Sequence, residues 1–113
     1  MNNAQKKDAI LTCAQLCTLE NNSFASVAGF VIVKQMPSTA KGTVFLTLED
    51  ETGLINVIVK PNIVERYIRC ITDEASVEIH GELENDNGSI HVLAQHISAI
   101  QTKFEYPQPR NWC

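Results

Sequence analysis

The sequence predicts an all-β domain with minor helices: a five-stranded Greek-key barrel, with a helix between the third and fourth strands and another ahead of the first. Three observations carry this. Several runs rich in Val, Ile and Phe alternate apolar and polar residues with period two. Gly-containing turns at 51–53 and 85–88 join neighbouring runs at hairpin length. One stretch, from Pro61 to Ile71, breaks the strand pattern with apolar residues at helical spacing.

Taken in order, residues 4–19 place Ile10, Leu11, Ala14 and Leu16 at helical spacing, and the polar turn Glu20-Asn21-Asn22-Ser23 ends that helix. FASVAGFVIVKQM (24–36) reads as a long first strand, in which Gly29 marks a bend or bulge. Pro37 to Gly42 is a loop by composition. In TVFLTLED (43–50), Val44, Leu46 and Leu48 face the core and Thr43, Phe45 and Thr47 the other side. In LINVIVK (54–60), Ile55, Val57 and Val59 alternate with Asn56, Ile58 and Lys60. Pro61 suits a helix start, and Ile63, Val64, Tyr67, Ile68 and Ile71 continue that helix. ASVEIHGELE (75–84) and SIHVLAQHISAI (89–100) form the last hairpin, with Val77, Ile79 and Gly81 on one side, and the closing stretch reads as an extended tail. Five strands, a bent first strand and a helix after the third match the partly open barrel called the OB-fold. Hairpin-sized connections elsewhere make an antiparallel sheet natural. The boundaries expected are 1–22 for the helix and linker, 23–101 for the barrel and 102–113 for the tail.

With 113 residues the chain suits one domain. Charged residues are 19% and apolar ones 44%, which argues against disorder. No run reaches a membrane span of ~18 apolar residues, and Asp8 and Gln15 interrupt what could pass for a signal peptide. A cytoplasmic protein is expected. The net charge of −4 disfavours a long, backbone-gripping nucleic-acid surface, so any such site must be local and salt-sensitive. The four cysteines, Cys13, Cys17, Cys70 and Cys113, match no zinc spacing and read as reduced thiols. His91 and His96 lie five apart on one strand, hence on opposite faces, and His80 stands alone. Glu49-Asp50-Glu51 reads as a turn rather than a metal or acid–base pair. No catalytic motif is present. No enzyme activity, metal or cofactor is expected.

Residues 28–67 closely resemble the OB-fold domain near the C-terminus of error-prone, DnaE-type DNA polymerases. The resemblance rests on Ala28-Gly29, Gln35, Pro37, Thr39 to Gly42, Phe45, Thr47 to Gly53, Asn56 and Glu65-Arg66, with weaker similarity from about Lys7 to Ile100. The pairing of T-A-K-G with T-L-E-D-E-T-G is its most specific part. More distantly, the segment resembles the anticodon-binding OB-fold of class II aminoacyl-tRNA synthetases. There an aromatic residue stacks on a base and a Gln hydrogen-bonds one; Phe45 and Asn56 stand at those places. The departures are Lys34 and Met36 where the polymerases carry arginines, Ser38 for a Gly, and Lys60 where a Trp is frequent. The polymerase palm, fingers and helix-hairpin-helix regions are missing, so polymerase activity does not carry over. The Met1 start and the Pro109-Arg110-Asn111-Trp112 ending suggest a short protein in its own right.

The resemblance implies a non-catalytic module that binds single-stranded nucleic acid, DNA more than RNA, in replication or translesion repair. Bases would stack on Phe45, Thr47 and Asn56 would meet base edges, and Lys34, Gln35, Lys41 and Lys60 would border the groove. The alternative is a protein-interaction module of a polymerase or repair complex. The acidic balance, the lost arginines and the tail residues Phe104, Tyr106 and Trp112 motivate it. No membrane partner is expected.

Overall fold

The structure is a computed structural model and describes residues 10–86 and 89–100. The 102–113 tail, the first half of the 4–19 helix and the tip of the last hairpin lie outside the described residues.

Alternation becomes a closed barrel. The strands are β1 (Ile10–Leu11), β2 (Phe24–Gln35), β3 (Val44–Asp50), β4 (Gly53–Val59), β5 (Ser76–Asp86) and β6 (Ser89–Ala99). The helices are α1 (Cys13–Leu16), α2 (Pro61–Arg66) and α3 (Ile68–Asp73). The sheet runs β1-β2-β3-β4-β6-β5, and a second pairing of β2 with β5 closes β2–β6 into a five-stranded ring. The core-facing residues Val44, Leu46, Leu48, Ile55, Val57, Val59, Val77 and Ile79 are all buried, as their period-two spacing predicts, and Val27, Leu83 and Val92 join them.

Closure depends on the bend in β2. Its first half pairs with β5 and its second half with β3, and Phe30 belongs to both ladders. At the bend a Cβ on Gly29 would stand 2.6 Å from the carbonyl oxygen of Glu49, so glycine alone permits the approach. Besides the added β1, which runs parallel to β2, one pairing within the ring departs from the antiparallel expectation: β4 and β6 are parallel. The long route through α2, α3 and β5 returns the chain in the same direction, which a hairpin cannot do.

Two helical expectations change. Within 10–19 the helix occupies Cys13–Leu16 alone, and Ile10 and Leu11 form a strand beside Ser26 and Val27. A short isolated helix is costly to nucleate, so pairing with an existing strand wins. Thr12 and Gln15 cap the remaining turn reciprocally, and Leu16 plugs the core. The 61–71 helix breaks at Tyr67, whose backbone leaves helical geometry at φ −117°. That break keeps both Val64 and Ile71 in the core while the Tyr67 ring packs on His96.

The N-terminal segment is fastened by the β3–β4 turn. The Asp50 carboxylate accepts hydrogen bonds from Cys13 N at 2.8 Å, Thr52 N at 2.7 Å, Thr52 Oγ1 at 2.8 Å and Gly53 N at 3.0 Å. Burial pushes this carboxyl up, but those bonds outweigh it and hold it below its ordinary value. Burial raises the Cys13 thiol, helped by Asp50 and Cys17, so it stays protonated and donates to Leu54 O at 3.1 Å. At the last of the described residues, Ile100 N donates to Ser76 O, and Ile100 borders a hollow with Ala28, Gly29 and Phe30.

Candidate nucleic-acid interface

The outer face of β2, β3, β4 and β6 is arranged in rows set by the strand register. One row runs Gln35, Phe45, Ile58, Leu93, and the next runs Val33, Thr47, Asn56, His91. Phe45 is 36% exposed, enough to offer part of its ring to a flat ligand. The side chains of Gln35, Thr47 and Asn56 make no hydrogen bond among the described residues, so their polar groups are free for a ligand.

Lys34 does not join this face. Val31 pairs with Leu48 but Val33 pairs with Thr47, so β2 carries an extra residue between them. That bulge puts Gln35 opposite Phe45 and Lys34 opposite the buried Leu46. The Lys34 ammonium instead donates to the carbonyl of Ile71 at 2.9 Å, at the foot of the barrel.

Lys41 and Lys60 both lie at one end of the face. Lys41 is exposed and left-handed (φ 52°) after the 3-10 turn Ser38–Ala40. Its neighbour Gly42 sits against Pro61, the residue after Lys60. The opposite end is different. Glu49 pairs with Phe30 on one side and Leu54 on the other. Phe30, Ile32 and Leu54 are large, exposed and apolar there. The sequence reading missed Phe30 and Leu54 as surface residues, although Leu54 follows from the same alternation that exposes Asn56.

The histidines also sit differently from expectation. β6 holds one more residue than β5 near His80, with His80 opposite His96 and Gly81 opposite Ala94. The extra residue, Gln95, resets the alternation, so Val92, Ala94 and Ile97 are buried while His91 and His96 both face outward. A Cβ at Gly81 would collide with the Leu93 carbonyl, which is why the bulge forms opposite a glycine. His80 is not isolated. Its ring lies 5.9 Å from Phe24 and 6.4 Å from His96 between centroids, and its Nδ1 lies 3.0 Å from Ser26 Oγ. Among the described residues no group of three or more His, Cys, Asp or Glu could hold a metal ion, and no helix is long and apolar enough to cross a membrane.

Comparison with known proteins agrees with this architecture. Residues 25–100 match the family model described as the OB-fold nucleic acid binding domain of the tRNA anticodon type. An error-prone DNA polymerase of Bordetella parapertussis is 44% identical over 86 residues, 76% of this chain. Error-prone DNA polymerase 2 of Rhizobium meliloti is 37% identical over 91 residues, 80% of this chain. The chain spans 8% of the length of either polymerase. Among solved structures, asparaginyl-tRNA synthetase from Pyrococcus horikoshii superposes with a TM-score of 0.68 at 22% identity, covering 89% of this chain and 24% of the synthetase, a likeness of fold. With the matched model extending from β2 through β6, this chain belongs to the OB-fold nucleic acid binding domain family and is related to the OB domain of error-prone DNA polymerases.

Proposed function

We propose that this chain is a non-catalytic module that binds single-stranded DNA by stacking bases on Phe45. The observation that carries the reading is the row Gln35–Phe45–Ile58–Leu93, a half-exposed ring among apolar neighbours and unpaired polar groups, with cations at one end. Thr47 and Asn56 meet base edges from the next row, and Lys41 and Lys60 meet phosphate. Lys34 is engaged elsewhere and is left out of this role. Sequence preference is slight, since every base has a face that stacks. The polymerase relatives support a setting in replication or translesion repair, in the cytoplasm.

The test is fluorescence anisotropy of a labelled single strand of about 20 nucleotides, at low salt and at about 200 mM. Stacking on an aromatic ring contributes roughly 1–3 kcal/mol, so Phe45→Ala should weaken binding about fivefold or more and Phe45→Trp should not. Wild-type silence toward DNA, with RNA equally silent, would sink the reading. The second reading, a protein-binding module, is favoured by the exposed Phe30, Ile32 and Leu54 beside Glu49. Apolar docking there is insensitive to salt, whereas phosphate binding weakens steeply with it.

A further inference from the structure

The outward row does not end on a flat surface. Past Leu93 the surface falls into a cavity of about 480 Å³ between α2 and β6, a size that suits a small molecule. Three kinds of side chain meet there. Lys60 and Arg66 bring cations from the two ends of α2. His96 presents an exposed imidazole, held from behind by Tyr67 at 6.0 Å and His80 at 6.4 Å between ring centroids. Gln95, the extra residue of the β6 bulge, adds an exposed amide. The carboxylate on the wall, Glu82, already accepts a hydrogen bond from Asn22 Nδ2 at 2.6 Å.

We propose that this cavity is a second nucleotide subsite, taking a base beside His96 and its phosphate at Lys60 and Arg66. The proposal rests on the nucleic-acid reading above and deepens it. A flat ring with an adjoining anion is the ligand that uses both the imidazole and the cations: splayed bases stack on imidazole, and the cations pair with phosphate. The path is short. From Phe45 through Ile58 to Leu93 is two strand spacings, about 10 Å. A strand stacked on Phe45 therefore reaches the cavity within a few nucleotides, and Leu93 is an apolar step between them. The bulge at Gln95 has a purpose in this arrangement, because it turns His96 outward onto the same side as Leu93.

The experiment measures binding of single-stranded oligonucleotides of increasing length, from about 2 to 20 nucleotides, across a salt series. The proteins are the wild type, Phe45→Ala, and the paired variant Lys60→Gln/Arg66→Gln. Both cations are exposed and neither side chain caps α2, so the paired variant should melt with the wild type. Losing two phosphate contacts to a single strand should flatten the slope of log K against log salt by about 1.4, and weaken binding on the order of 20-fold at 0.1 M salt. Phe45→Ala should weaken binding without changing that slope. The wild type should also gain affinity sharply when the oligonucleotide becomes long enough to span from Phe45 to the cavity, and the paired variant should lose that gain. If wild type binds and the paired variant keeps its affinity, slope and length dependence, the subsite is overturned together with the phosphate role of Lys60, while stacking on Phe45 stands. If wild type binds no nucleic acid at any length, the face itself is overturned and the subsite with it.

Discussion

The Asp50 carboxylate gathers donors from its own turn and from the start of α1, thirty-seven residues earlier. Hydrogen bonds to a charged acceptor contribute roughly 1.5–3 kcal/mol net, so Asp50→Ala should cost about 2 kcal/mol in a denaturant titration. The sign of its pH dependence follows from the lowered folded value. The carboxylate contributes its full stability above the ordinary value of 3.8, and that contribution is lost as pH falls through the lower folded value. The wild-type melting temperature should therefore drop in acid more than that of Asp50→Asn, and differential scanning calorimetry from pH 7 down to about pH 3 checks it. A parallel loss in both proteins would remove Asp50 as the cause. Lys34 shows the reverse lesson at this scale. Its charge is spent on the Ile71 carbonyl, so Lys34→Met should lower stability and leave nucleic-acid affinity within about twofold.

At the scale of elements, α1 is a single turn that acts as a plug. Leu16 is 2% exposed, and Leu16→Ala should cost about 3 kcal/mol through the cavity it leaves. Hydrogen exchange should then show opening concentrated at α1 and the β3–β4 turn. Strand positions and their buried sides were legible because alternation is a direct print of which face meets the core: Val44, Leu46 and Leu48 needed no further information. The two bulges were legible only in part: Gly29 marked a bend or bulge in the first strand, but no side chain near Val31–Val33 or at Gln95 places the extra residue, since a bulge answers to how one backbone fits its neighbour. Each reverses the side on which later residues emerge, which is why Lys34 left the Phe45 face and His96 came to share one with His91. The spacing of Ile10 and Leu11 misled for a different reason: two apolar neighbours fit a helix or a strand, and pairing with β2 decided between them.

For the whole molecule, the charge pattern matters more than its sum. A net charge of −4 opposes polyanion binding, yet Lys41, Lys60 and Arg66 gather at one end and Glu49 marks the other. A strand neutralised by those three cations should give a salt slope of about −2, far shallower than that of a basic DNA-coating protein. A slope steeper than about −4 would mean that cations outside this end take part. The family and barrel were recognisable in the sequence, because the T-A-K-G and T-L-E-D-E-T-G runs build the β2–β3 loop, β3 and its turn. The cavity was not, because its residues come from α2, β5 and β6 and meet only after closure.

The bend in β2 joins two ladders through one residue, since Phe30 pairs with Glu49 on one side and with Ser76 on the other. A straightened β2 would keep only one of those ladders, and the ring would become an open sheet, as a bracelet opens at its clasp. Such a sheet presents two unpaired edges, the feature by which strands recruit other chains, so the glycine at the bend guards against association as well as shaping the barrel.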